Sequence, residues 1–405
     1  MNIDKSFAFS KSGLMPQEET LALKKEQSSI TIGIPREHTF QENRVSLCPE
    51  GVQQITDSGH KVLIERGAGV ASGFRDNEYS EAGAKIVEDP AEVYQSDIIL
   101  KIAPLTINEI DSIGQGKIII SAIHATNQSP EYFNKMMKKK LIAFGYEYIK
   151  DNTGNLPVLR AISEISGYTS IQIAAEYLCR LDFGKGVMLG NVAGITPTEV
   201  VIIGAGTVGE YAARAALAFG AVVKIFDNKL YKLRKIQNSL GNKVFTSIIH
   251  SGIIQKALKN ADVLIGCLYS EAGRSPIVVT EEMVLQMKKG AVIIDVSIDQ
   301  GGCVETSIVT NHNNPVFQFN GITHYCVPNI PSRVPRTASY ALNNFFVPKI
   351  IELGKAGTMQ NFLYNNESFR RGAYMFNGIL TNSNIANLYS LPCQNIDLLI
   401  AAFSK

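Results

Sequence analysis

The chain has 405 residues, 45% of them hydrophobic and 19% charged, with a formal net charge of +2. That length accommodates about two domains with a sizeable core each, and the balanced charge gives no basis for nucleic acid or an anionic membrane as partner. Its six cysteines and six histidines show neither a disulfide framework nor metal-ligand spacing. No apolar run approaches a membrane span, so a cytoplasmic protein is expected.

Residues 1–29 are polar and rich in Lys and Glu, without the apolar stretch of a signal peptide. They read as a mobile, dispensable extension. Ordered structure is expected from residue 30, with strands at 30–34, 61–65, 97–102, 117–122 and 141–145. Helices at 49–58 and 130–140 fall between them, and this alternation predicts a parallel sheet. This half also holds Arg44, Lys101 after the strand from Asp97, and His124 after the strand 117–122. Taken singly, the two cations read as surface charges, and the histidine as a structural one. A long helix over 162–181 leads out of this half.

Residues 199–227 carry the most specific pattern. Val200 to Ile203 form a short β-branched run, and Gly204, Gly206 and Gly209 follow at G-x-G-x-x-G spacing. A helical stretch comes next, then a strand over 221–226 that ends in Asp227. In a dinucleotide site Gly204 makes the tight turn, Gly206 lets the backbone approach a pyrophosphate, and Gly209 lets the helix pack on the strand. Asp227 would accept from a ribose 2′-hydroxyl and repel a 2′-phosphate, favouring NAD over NADP. The plainer alternative is a doubly wound fold whose glycines serve packing alone.

Further strands are expected at 243–246, 262–267, 291–297 and 316–319. The fifteen-residue stretch from Ala291 to Glu305 places Asp295 and Asp299 after an apolar strand. Ligands of open α/β sheets bind at the carboxyl ends of strands, so Asp299 is either a catalytic acid or the head of an Asx-turn. Asp295 reads equally well as a structural residue of its own loop. A last long helix, 336–353, is expected to kink or break at Pro348 and to return the chain to the first half. The fold expectation is α/β: two Rossmann-like doubly wound parallel-sheet domains joined by two long helices, with a cleft between. Residues 30–160 plus 336–405 would form a substrate domain and 161–335 an NAD-binding domain.

Several motifs occur together: Gly33-Ile-Pro-Arg-Glu37, Glu42-Asn-Arg-Val45, Pro49-Glu-Gly, Ser163-Glu-Ile-Ser-Gly167, Asp299-Gln-Gly-Gly-Cys303, His324-Tyr-Cys-Val-Pro-Asn329 and Val334-Pro-Arg-Thr-Ala-Ser-Tyr-Ala-Leu342. With the glycine turn, they resemble the alanine dehydrogenase family from about residue 30 to residue 380. The resemblance implies reversible oxidative deamination of L-alanine to pyruvate and ammonium with NAD, in a homohexamer. It implies that Arg44 and Lys101 hold the substrate, that His124 transfers protons, and that Asp299 orients water or ammonia and stabilises an iminium. Around NAD it sets Ser163, Gly204, Ala205, Gly206, Thr207, Val208, Gly209, Asp227, Lys232, Val296, Ser297, Ile298, Val327 and Asn329.

The chain departs from the family pattern at Arg36, Ala103, Tyr168, Ile308, Pro328 and Ile330. Lys101 is the one lysine in a stretch where many members carry two. Three rival readings are an opine-type or lysine-pathway dehydrogenase, a transhydrogenase-like nucleotide-binding subunit and a non-catalytic NAD-sensing protein.

Overall fold

The computed structural model describes residues 29–270 and 273–403. The expected N-terminal extension, Ser29 apart, lies outside the described residues. In the first half the strands are β1 (Thr31–Ile34), β2 (Lys61–Glu65), β3 (Lys85–Val87), β4 (Ile98–Leu100), β5 (Ile118–Ser121) and β6 (Ile142–Gly145). A second series follows: β7 (Glu199–Ile203), β8 (Val222–Phe226), β9 (Val244–Ser247), β10 (Val263–Gly266), β11 (Val292–Asp295), β12 (Val316–Phe319) and β13 (Ile322–Tyr325). Then β14 (Ala373–Phe376) and β15 (Ile379–Leu380) return to the first sheet.

The first sheet runs in the order β15-β14-β6-β5-β4-β1-β2-β3, and the second β12-β13-β11-β10-β7-β8-β9. Pairing is parallel throughout the interior of both. The antiparallel pairs are confined to the edges formed by β12 and by β14 with β15. This is the expected α/β class with two Rossmann-like sheets. Because side chains alternate along a strand, each sheet feeds two cores. Ile98 and Leu100 join Ile32, Ile34 and Ile120 on one face, while Ile99 joins Ile119 and Ala143 on the other. Likewise Val200 and Ile202 pack with Ile265 and Ile294, and Val201 and Ile203 with Leu264 and Ile293. Burial on both faces explains why these strands read as unbroken apolar runs.

Several details differ from expectation. The first long helix spans Pro157–Cys179 and begins earlier than expected, since Pro157 at its first turn suits a helix start. The second, Pro335–Ala356, runs as one element through Pro348. Proline removes a single backbone bond there, while Leu342, Phe346, Val347, Ile350 and Leu353 anchor both flanks in the first core. Four further strands were not anticipated: β3, β13, and β14 and β15, which form a hairpin. The hairpin turns on Asn377 (φ 48°) and Gly378 (φ 77°), the Asn-Gly pair that type I′ turns favour. Its signal was legible, but the docking of β14 on β6 was not. Among the described residues no helix is long and apolar enough to cross a membrane.

Candidate active site

The glycine turn after β7 meets its three demands separately. Gly204 has φ +117°, and a Cβ there would lie 2.5 Å from the Cys267 carbonyl oxygen. A Cβ on Gly209 would lie 2.0 Å from the Gly204 oxygen, so the helix Thr207–Ala218 sits directly on the turn. Gly206 faces open space, with nothing within 4 Å of an added Cβ. One glycine therefore bends the chain, one admits close packing, and one leaves a cradle at a helix N-terminus, where a phosphate fits. Ala205, Thr207 and Val208 complete this turn.

Asp227 follows β8 and is almost wholly buried. Its Oδ2 accepts from the Ala205 N–H at 2.8 Å and its Oδ1 from the Lys229 N–H at 2.8 Å. The carboxylate is thus fixed beside the turn, with lone pairs left for further donors. Lys232, on the helix Leu230–Leu240, reaches the same neighbourhood. Burial, Asp227 and Asp295 push the Cys267 thiol up, and Lys232 opposes them. Ser163 lies one turn before Gly167 on the helix Pro157–Cys179. A Cβ on Gly167 would lie 2.6 Å from the Val208 oxygen, so that helix also closes on the turn.

Asp295 is structural. It has no solvent exposure, and accepts from the Ser297, Cys303 and Val304 N–H groups and the Ser307 hydroxyl. These bonds fold Val296–Gln300 into a short 3-10 turn, which carries Val296, Ser297 and Ile298 and presents Asp299 to the cleft. The Asp299 Oδ1 accepts from the Asn329 N–H at 3.0 Å. Asn329 follows Val327, beyond β13, in a left-handed conformation (φ 55°).

Across the cleft stand Arg44 and His124. Desolvation pushes the Asp299 carboxyl above its ordinary range, while the Asn329 N–H and the charges of His124 and Arg44 oppose the shift. Asp299 therefore shares one electrostatic neighbourhood with both. Arg44 is held by Glu42, with Nε to Oε1 at 2.7 Å and Nη2 to Oε2 at 2.5 Å. The Asn329 Nδ2 also donates to the Glu42 Oε2 at 2.9 Å. Burial raises the Glu42 carboxyl, but Arg44 and Asn329 outweigh it and hold it below the usual carboxylate range. A continuous chain, Arg44–Glu42–Asn329–Asp299, thus joins the two halves of the molecule.

His124 is exposed, with φ 44° and ψ 57°. Lys101, expected to hold the substrate, is paired with carboxylates inside the protein. It is 1% exposed, with Nζ 2.8 Å from Glu37 Oε2 and 3.7 Å from Glu109 Oε1. Glu37 also accepts from the Ile102 and Ala103 N–H groups. A buried ammonium needs counter-charges, and these two carboxylates engage the one in Lys101. The roles of Glu37, Glu42 and Glu109 escaped the sequence reading, although Glu37 and Glu42 lie inside its motifs.

Two Rossmann-like sheets, one bearing a glycine turn shaped for a dinucleotide, fit an oxidoreductase using a nicotinamide nucleotide. The chain belongs to the alanine dehydrogenase/PNT family: residues 33–166 match its N-terminal domain and residues 170–383 its C-terminal domain. It is 39% identical over 363 residues to an alanine dehydrogenase of Methanococcus maripaludis, covering 89% of this chain and 97% of that one. With an alanine dehydrogenase of Staphylococcus saprophyticus the identity is 36% over 367 residues, covering 90% and 98%. A solved L-alanine dehydrogenase superposes with TM-score 0.82 at 35% identity, over 89% of this chain and 99% of that one. A transhydrogenase from Sinorhizobium meliloti shares the fold, with TM-score 0.73 at 24% identity over 87% and 99%.

Proposed function

We propose that this protein catalyses reversible, NAD-dependent oxidative deamination of L-alanine to pyruvate and ammonium. The observation that carries the reading is the bonded chain Arg44–Glu42–Asn329–Asp299, with the charges of His124 and Arg44 felt at Asp299. The named activity of the relatives supports the same substrate. In this reading residues 30–160 with 336–405 bind substrate and residues 161–335 bind NAD. Asp227, the turn 204–209, Ser163, Lys232, Val296–Ile298, Val327 and Asn329 surround the coenzyme.

Bound NAD supplies the hydride acceptor, and the net change converts L-alanine and water to pyruvate, ammonium and a proton as NADH forms. Arg44 takes the substrate carboxylate on its end-on edge, because Glu42 already occupies the side of Nε and one Nη2 hydrogen. The substrate ammonium first gives up to solvent the proton of the net equation, and as Cα of the neutral amine loses hydride the Asp299 carboxylate stabilises the cationic iminium. His124 removes a proton from the water that adds to the iminium carbon, and returns one to nitrogen as the carbinolamine releases ammonia. Closure of the halves excludes bulk water from these steps. Lys101 supports the floor of the site through Glu37 and the turn at Ile102 and Ala103.

The test is oxidation of NADH by the purified enzyme with pyruvate and ammonium, beside pyruvate with ornithine or lysine. Turnover is expected with ammonium alone; preference for an amino acid as amine donor would favour an opine-type enzyme instead. NADP should fail to replace NAD, because a 2′-phosphate would meet the Asp227 carboxylate. A homohexamer and a cytoplasmic location complete the reading, and light scattering and cell fractionation test them.

A further inference from the structure

His124 occupies a backbone conformation that few side chains adopt. Left-handed geometry is unfavourable for a non-glycine residue, and at His124 the chain turns from the end of β5 into a short 3-10 turn at Ala125–Asn127. Such a turn points consecutive N–H groups the same way and leaves them without sheet partners. Here both find one atom: the Glu147 Oε1 accepts from the Ile123 N–H at 2.7 Å and the His124 N–H at 3.0 Å. Glu147 follows β6, the strand beside β5, so the clasp ties the loop to a rigid element. On the other side, Gln128 Nε2 donates to the Ile123 oxygen at 2.7 Å and the Asn127 N–H to the His124 oxygen at 2.8 Å. The Glu147 Oε2 is buried without a hydrogen-bond partner among the described residues. A carboxyl group so placed costs desolvation, and the clasp on the His124 turn is the contact that its Oε1 makes in return.

We propose that Glu147 is a positioning residue: it holds the His124 backbone in its left-handed turn and thereby aims the imidazole across the cleft. This rests on the reading of His124 as the proton-transfer group. Glu147 acts through two backbone bonds, so what matters is an acceptor at Oε1 and not the negative charge. Without it, Ile123 and His124 lose their shared acceptor, the turn relaxes toward ordinary backbone geometry, and the ring leaves its place. A misplacement of about 1 Å costs on the order of 100-fold in rate. Arg44 and the coenzyme turn are untouched by that relaxation.

The test is steady-state kinetics with L-alanine and NAD for wild type, Glu147→Ala, Glu147→Gln, His124→Ala and the Glu147→Ala/His124→Ala pair, with melting temperatures and NADH binding measured alongside. Glu147→Ala should lower kcat on the order of 100-fold with KM for L-alanine and NADH affinity within a few-fold of wild type. Glu147→Gln, which keeps the acceptor, should recover most of that loss. In the His124→Ala background, Glu147→Ala should cost nothing further. A wild-type kcat in Glu147→Ala, or a Glu147→Gln as impaired as Glu147→Ala, would overturn the proposal. So would a full additional loss in the double variant, which would indicate a role independent of His124. Failure of the wild-type enzyme to oxidise L-alanine would instead remove the underlying reading. Should Glu147→Ala not fold, Glu147→Gln alone and in the His124→Ala background still decides.

Discussion

At the scale of single residues, the site is governed by how each buried charge is paired. The family resemblance implies that Arg44 and Lys101 both hold the substrate, and the fold gives the two cations different surroundings. Arg44 keeps one edge of its guanidinium free of Glu42, whereas Lys101 is enclosed with Glu37 and Glu109. Removing one partner of a buried pair typically costs about 3–5 kcal/mol, because the other charge is left uncompensated. Lys101→Ala is therefore expected to lower the melting temperature sharply, with loss of activity secondary to loss of structure. An unchanged thermal transition with abolished turnover would return Lys101 to direct contact with the substrate. Asp295 and Asp299 part in the same way. Four residues apart in one loop, the first is saturated by its own loop and the second opens onto the cleft.

At the scale of elements, the glycine turn and the helix it starts behave as one unit whose members fail differently. A methyl group on Gly206 meets no protein atom, so Gly206→Ala should fold with a near-normal melting temperature. Its effect should appear as weaker NADH binding, since the methyl would enter the cradle. A methyl group on Gly209 would lie 2.0 Å from the Gly204 oxygen, a backbone atom that cannot move aside. Gly209→Ala should accordingly lower the melting temperature. Calorimetry with an NADH titration on both variants checks the contrast, and equal effects on stability would contradict it. The nucleotide unit was legible because all its signals lie within thirty residues of each other. The His124 loop was not, because its supports come from Glu147 on the next strand and from Tyr389, whose hydroxyl donates to the Ala125 and Gln128 oxygens.

At the scale of the whole molecule, the segment 41–45 stitches the two halves together. The Gln41 Oε1 accepts from the His312 N–H, and its carbonyl from the Ser332 hydroxyl. The Asn43 N–H in turn donates to the Ser332 Oγ at 2.8 Å. Glu42 adds the bond to Asn329 while neutralising Arg44, so the two halves meet through groups that are already compensated. Glu42→Ala would leave Arg44 buried without its partner and remove a bond between the halves. It should shift the ensemble toward open forms, read as a larger radius of gyration in small-angle scattering of the unliganded protein. A scattering curve identical to wild type would show that Glu42 has no part in closure.

The order of residues alone was enough for the two β-α series, the glycine turn, and the places of Asp227 and Asp299 after their strands. Each of these rests on local periodicity or on spacing within one supersecondary unit, where geometry follows directly from the order of residues. Only the tertiary structure decided which charges meet. Lys101 finds Glu37 across 64 positions and Glu42 finds Asn329 across 287, while β14 docks on β6 from the far end of the chain. Buried charges must be neutralised within a few ångströms. Which carboxylate or amide lies within that range is fixed by how the sheets and helices pack, and no local pattern encodes it.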